Sequence, residues 1–250
     1  SHNLIPVLIP RGIALVVFDF TGCGRSEGDY ITLGWREQSD LENVITYVTN
    51  MLHFEKIVLW GRSMGAVAAL LCGAKTLPWV RGIIMDSPFA SMNEVVQNFT
   101  QQADIPCGCC LFPVGRTFVR RNVIKKTGLD IDSFNPIDVA GQSHLPVMIA
   151  HAKQDTTINC AQSKEIFDVY GSADKHLVIL PGGHNDKRPL MFIDLVLTFI
   201  ERICDDIIQS EMNMNMNLSQ TQSQNQNQVN WNENKATWDE LMGGIKKIMN

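Results

Sequence analysis

Apolar residues fall along this chain in two alternating patterns. Residues 13–20, IALVVFDF, make a short and nearly continuous apolar run between Gly12 and the turn-forming TGCGRSEG, which predicts a buried strand. Residues 33–50 instead space Leu33, Leu41, Val44, Ile45 and Val48 largely at helical intervals, with polar residues between them. The cycle repeats as strand KIVLW, a helix from Gly65 to about Lys75, and strand RGIIMD. After an interval come strand PVMIAH, helix AQSKEIFDVY, strand HLVILP and helix LMFIDLVLTFIERI. Short continuous apolar strands alternating with helices predict an α/β fold with a mostly parallel sheet covered by helices on both faces.

The interval from about Phe89 to Gln142 breaks this rhythm, and an excursion of that length between two strand-helix units is expected to form a lid over the strand C-terminal ends. The α/β domain so defined runs over residues 1–209. In residues 211–230 Asn and Gln supply 11 of 20 positions, so a disordered linker is expected over about 210–230. In residues 231–250 a capping pair, Thr237 and Glu240, precedes an apolar face of Trp238, Leu241, Met242, Ile245, Ile248 and Met249. This amphipathic helix is a candidate for docking on the domain or for binding a protein partner.

Composition narrows the function. A net charge of -5 offers no field for nucleic acid, and no apolar run reaches the roughly 18 residues of a membrane span. Seven cysteines, an odd number in a chain too long to need disulfide staples, suit a reducing compartment, so the cytoplasm is expected. Cys107, Cys109 and Cys110 are too close together for a four-ligand zinc site. GCGRSEG has the wrong glycine spacing for a dinucleotide loop and reads as a tight turn. Arg116, Arg120, Arg121, Lys125 and Lys126 read first as a solvated helix face, and they leave a peripheral membrane contact or steering of an acidic substrate open.

The chemistry centres on LWGRSMG. Its Gly-x-Ser-x-Gly pattern lies between a strand and a helix, the setting of a nucleophile elbow. Side chains at Gly61 and Gly65 are expected to collide where strand and helix meet. Ser63 then stands at the positive end of a helix, with the Met64 amide directed at any oxyanion formed on an attacked carbonyl. A serine hydroxyl needs a base, and the base needs an orienting acid. His184, in the glycine-rich loop LPGGHND, is the expected base; His53 and His176 precede strands and face the opposite edge. Asp155, in HAKQDTTIN, is the expected acid and completes the chain order Ser, Asp, His. Asp86, in MDSPFAS, is the reserve acid, with a structural carboxylate as its simpler role. His151 reads as a packed loop histidine.

Together VVFDFTGCGRSEG, LWGRSMG, MDSPFAS, HAKQDTTIN and PGGH make the chain, over roughly residues 10–205, resemble the α/β-hydrolase superfamily. Within it the resemblance is to serine aminopeptidase-like, monoglyceride-lipase-like, Bem46-like and depalmitoylating serine hydrolases. It implies Ser63 as nucleophile, Asp155 as acid, His184 as base and Met64 as one oxyanion donor, acting on a small acyl substrate without cofactor or metal.

The resemblance also implies a His-Gly oxyanion loop and a third strand ahead of Ile13, with that strand lying between residues 13–20 and the strand leading to Ser63. SHNLIPVLIPRG holds no such motif and reads as the end of the loop followed by the first helix. The expectation is therefore a piece of a longer hydrolase. The alternative is a hydrolase-shaped binding protein with little activity, since one oxyanion donor is worth on the order of 3 kcal/mol.

Overall fold

A computed structural model describes residues 4–75, 77–102 and 108–205. The Asn/Gln-rich stretch and the amphipathic segment after it lie outside the described residues, as does Cys107. Four parallel strands, β1 (Ile57–Arg62), β2 (Val80–Asp86), β3 (Val147–Ala152) and β4 (Lys175–Leu180), form one sheet in that order. The helices are α1 (Ile5–Leu8), α2 (Glu37–Asn50), α3 (Met64–Gly73), α4 (Met92–Gln102), α5 (Gly108–Thr127), α6 (Ile137–Ala140), α7 (Ala161–Val169) and α8 (Leu190–Cys204).

The strands are apolar along their length because both faces are covered. β3 is buried at every position, and Ile83, Ile84 and Met85 of β2 are fully buried. The α3 face joins Leu59, Ile83 and Ile149 to Ala66, Leu70 and Ile166 in one core. On the opposite face Phe192, Val196 and Phe199 of α8 are buried. A second core ties the insertion to α3: Val67 and Leu71 pack with Phe89, Met92, Leu129 and Phe134. The insertion holds α4, α5 and α6. Its basic residues are partly neutralised within it, since Arg116 and Arg120 pair with Asp132 and Asp130.

Residues 13–20 depart from the expected buried strand. They belong to no ladder, and Val16 and Val17 are 47% and 63% exposed. A strand needs a neighbour about 4.8 Å away to satisfy its amides. Here a cavity of about 340 Å³ intervenes, lined by Val16, Phe18 and Phe20 on one side and by Leu59, Trp60 and Gly61 of the edge strand β1 on the other. The apolar run is exposed or half-buried along its length and has no ladder partner among the described residues. Side chains tie down the turn that follows it: Asp40 accepts from the Thr21 amide at 2.8 Å, and Asp19 from the Arg25 amide at 2.9 Å. Leu33 also falls outside α2, in the left-handed region at φ 53°, and packs toward the insertion's core instead.

At the far edge of the sheet Asp174 is clamped by both terminal guanidinium nitrogens of Arg202, at 2.8 and 2.9 Å, and by His176 at 2.9 Å. Burial works to raise the Asp174 carboxyl, but these bonds outweigh it and bring it down to about 2 from 3.8. A carboxyl depressed in the folded state stabilises the fold above its unfolded value and loses that contribution as pH falls from about 4 to 2, here roughly 2 kcal/mol. Asp174→Asn is expected to lower the urea-unfolding free energy by about 1–2 kcal/mol at neutral pH, with the gap to wild type closing by about pH 2. A gap that persists undiminished in acid would assign the loss to packing.

Candidate active site

All four strands run the same way, so the segments after their C-terminal ends meet at one edge of the sheet, where parallel sheets carry their sites. Ser63 follows β1, Asp86 ends β2, Asp155 follows β3 and His184 follows β4. Adjacent strands hold these ends in register, with Arg62 opposite Asp86 and Asp86 opposite Ala150.

Ser63 caps α3 with φ 52° and ψ -118°, outside the regions that a residue bearing a side chain prefers. The strain is held from both sides: its amide donates to the Asp86 carbonyl at 2.8 Å, and its own carbonyl accepts from Ala66 and Val67 in the first turn of α3. A Cβ on Gly61 would stand 2.0 Å from the Gly65 carbonyl oxygen, so only glycine permits that approach. A Cβ on Gly65 would meet only the Phe20 ring, at 4.0 Å. The expected collision therefore holds at Gly61 and not at Gly65, because the turn brings the backbone of residue 65 against position 61. Met64 opens α3, and its amide is one of the first-turn donors that a helix cannot satisfy itself. It also lines the same cavity as Ser63.

His184 Nδ1 donates to Asp155 Oδ2 at 2.6 Å, with the aspartate side chain fully buried and the histidine 12% exposed. A neutral imidazole holding its proton on Nδ1 has a lone pair on Nε2, the state required of a base. Asp155 Oδ1 accepts from the amides of Thr157 and Ile158 at 2.9 and 2.8 Å. Burial pushes the Asp155 carboxyl up, yet hydrogen bonds from His151, His184 and the Ile158 amide hold it well below the usual carboxylate range. Ser63 Oγ makes no hydrogen bond among the described residues. The expected acid and base are thus joined to each other, while among the described residues the serine stands at the same edge without a bond to either.

Among the described residues Asp86 bonds to no histidine and is held by two arginines instead. Arg188 grips both its oxygens through Nε, at 3.1 and 2.9 Å, and through Nη2 at 2.9 Å, with side chains 6% and 5% exposed. The same guanidinium donates to the carbonyls of Gly183 at 2.9 Å and His184 at 3.3 Å. Arg62 also donates to the His184 carbonyl and forms an ion pair with Asp86 at 3.5 Å. These two arginines tie the serine turn, the end of β2 and the histidine loop together. Sequence reading missed both, although Arg62 is the variable residue before the serine and Arg188 lies four residues beyond the histidine. His151 lies in β3, not in a loop, and His176 lies within β4 rather than ahead of it. Among the described residues no cluster of ligating side chains could hold a metal, and no helix is long and apolar enough to cross a membrane.

Comparison with known proteins agrees with the parallel α/β architecture. The family model for serine aminopeptidase, S33, matches residues 1–127. An uncharacterized protein of Acanthamoeba polyphaga mimivirus is 26% identical over 196 residues, covering 74% of this chain and 62% of that protein. The lysophosphatidylserine lipase ABHD12 of Danio rerio is 26% identical over 177 residues, covering 67% of this chain and 42% of that protein. The chain thus spans less than two thirds of the length of these curated relatives. The Pyrococcus furiosus esterase Pf2001 superposes with a TM-score of 0.62 at 20% identity, over 80% of this chain and 75% of that one, a likeness of fold. With a parallel sheet carrying a strained serine between strand and helix, and with the family model covering just over half its length, the chain belongs to the S33 serine aminopeptidase family of α/β-hydrolases.

Proposed function

We propose that this chain carries the core of a serine hydrolase that cleaves an acyl ester or thioester, and less readily a peptide amide, through an acyl-enzyme on Ser63. The observation that carries this reading is the buried 2.6 Å bond from His184 Nδ1 to Asp155, at the sheet edge that also holds the strained Ser63. In the reaction His184 Nε2 takes the Ser63 proton as Oγ adds to the acyl carbonyl. The Met64 amide receives the developing oxyanion at the positive end of α3. His184 then returns the proton to the leaving group, and a water deprotonated by the same nitrogen releases the acid. Likeness to a lysophosphatidylserine lipase favours an ester over an amide. A cytoplasmic setting is in keeping with the free thiols of Cys23, Cys72 and Cys160.

Labelling with a fluorophosphonate probe tests the proposal. Folded wild-type protein is expected to label covalently, and Ser63→Ala to lose the label while keeping the wild-type melting temperature. A folded wild-type protein that takes no label would sink the enzyme reading and leave that of a hydrolase-shaped binding protein.

A further inference from the structure

His151 is fully buried, and the proposed chemistry gives it no role. Its ring makes three polar contacts: Nδ1 lies 2.6 Å from Ser163 Oγ, while Nε2 lies 3.0 Å from the Ile158 carbonyl and 3.3 Å from Asp155 Oδ2. A carbonyl oxygen and a carboxylate can only accept, so Nε2 carries the proton and Nδ1 accepts from the Ser163 hydroxyl. The oxygen it reaches is the one that receives His184 Nδ1. Asp155 Oδ2 is therefore shared between two imidazoles, one reaching in from β3 and one from the loop after β4.

Nothing in this geometry is needed for packing alone. An apolar ring in the same space would fill the volume and leave Ser163, Ile158 and Asp155 each short of a partner. The arrangement also spans the turn at residues 155–158 from both ends, since the Ile158 amide donates to Asp155 Oδ1 while the Ile158 carbonyl accepts from His151. One rigid ring anchored on α7 through Ser163 thereby fixes both the carboxylate and the turn that carries it.

We propose that His151 is a positioning residue for the hydrolytic site: it holds Asp155 in place and takes a share of the oxygen that orients His184. The proposal rests on the Ser63, Asp155, His184 reading, and its test has one arm that does not depend on activity. The proton on His184 Nδ1 is followed by NMR, identified as a downfield signal that is present in Ser63→Ala and absent in His184→Gln. In His151→Phe the competing donor is gone and the signal is expected to move further downfield. In His151→Gln, whose amide can still donate to Asp155, it is expected to return close to the wild-type position. The second arm is ester hydrolysis, where His151→Phe is expected to lower kcat/KM about tenfold through kcat, the size of one lost hydrogen bond to a charged group, with His151→Gln recovering most of it. A proton signal in folded His151→Phe that stays at the wild-type position would overturn the proposal. Absence of fluorophosphonate labelling in wild type would instead remove the triad reading, with the proton signal still reporting on His151.

Discussion

Asp155→Asn is expected to reduce kcat for hydrolysis of an activated ester such as a p-nitrophenyl acetate by about 10⁴-fold while leaving the protein folded. The size follows from which groups face the carboxylate. Oδ1 accepts two backbone amides, from Thr157 and Ile158, and backbone amides cannot reverse their role. An asparagine at this position must therefore keep its carbonyl oxygen on that side and turn its NH2 toward His184 and His151. The His184 ring can meet a donor only by accepting at Nδ1, which moves its proton to Nε2. Nε2 is the atom that has to take the serine proton, so the base is lost although every heavy atom stays in place. Steady-state kinetics with circular dichroism as a check on folding measures this, and a loss smaller than about tenfold would show that the acid is another group.

Much of this site was legible because periodicity and punctuation survive in a single sequence. Strands β1 to β4 are short apolar runs with a turn after each, so Ser63, Asp86, Asp155 and His184 could be assigned to one sheet edge from chain order alone. What was not legible depends on pairs distant in sequence. Residues 13–20 have the composition of a strand, yet strandhood needs a neighbour, and composition does not record that a cavity stands beside them. Arg188 and Asp86 are 102 residues apart, and nothing local marks an arginine in a polar loop as a buried clamp. The spacing of His151 to Asp155 shows proximity without direction, so the sequence alone gives it no more than a packing role. Only the ring orientation, fixed by Ser163 and Ile158, reveals which nitrogen meets the acid.

The clamp on Asp86 sets up the second large effect. Arg188→Ala is expected to destabilise the fold by about 3–5 kcal/mol, a large part of the 5–15 kcal/mol that holds a typical domain together. Removing the guanidinium leaves Asp86, with its side chain 5% exposed, as a buried carboxylate whose remaining cation is Arg62, at 3.5 Å and itself 37% exposed. It also leaves the carbonyls of Gly183 and His184 short of a buried donor. Arg188→Lys restores a charge but not a planar fork, so one ammonium cannot grip both Asp86 oxygens and both carbonyls, and only a minor part of the loss should return. Removing the carboxylate's charge as well, in Arg188→Met with Asp86→Asn, takes away the unpaired buried ion and is expected to recover stability relative to Arg188→Ala. Thermal and urea unfolding measure all three variants. A cost below about 1 kcal/mol for Arg188→Ala would mean that water reaches Asp86 and that the clamp is a surface pair. Because Arg188 also holds the His184 backbone, the double variant is expected to stay slow in ester hydrolysis even where its melting temperature recovers. That separates the arginine's hold on the histidine loop from its pairing with Asp86.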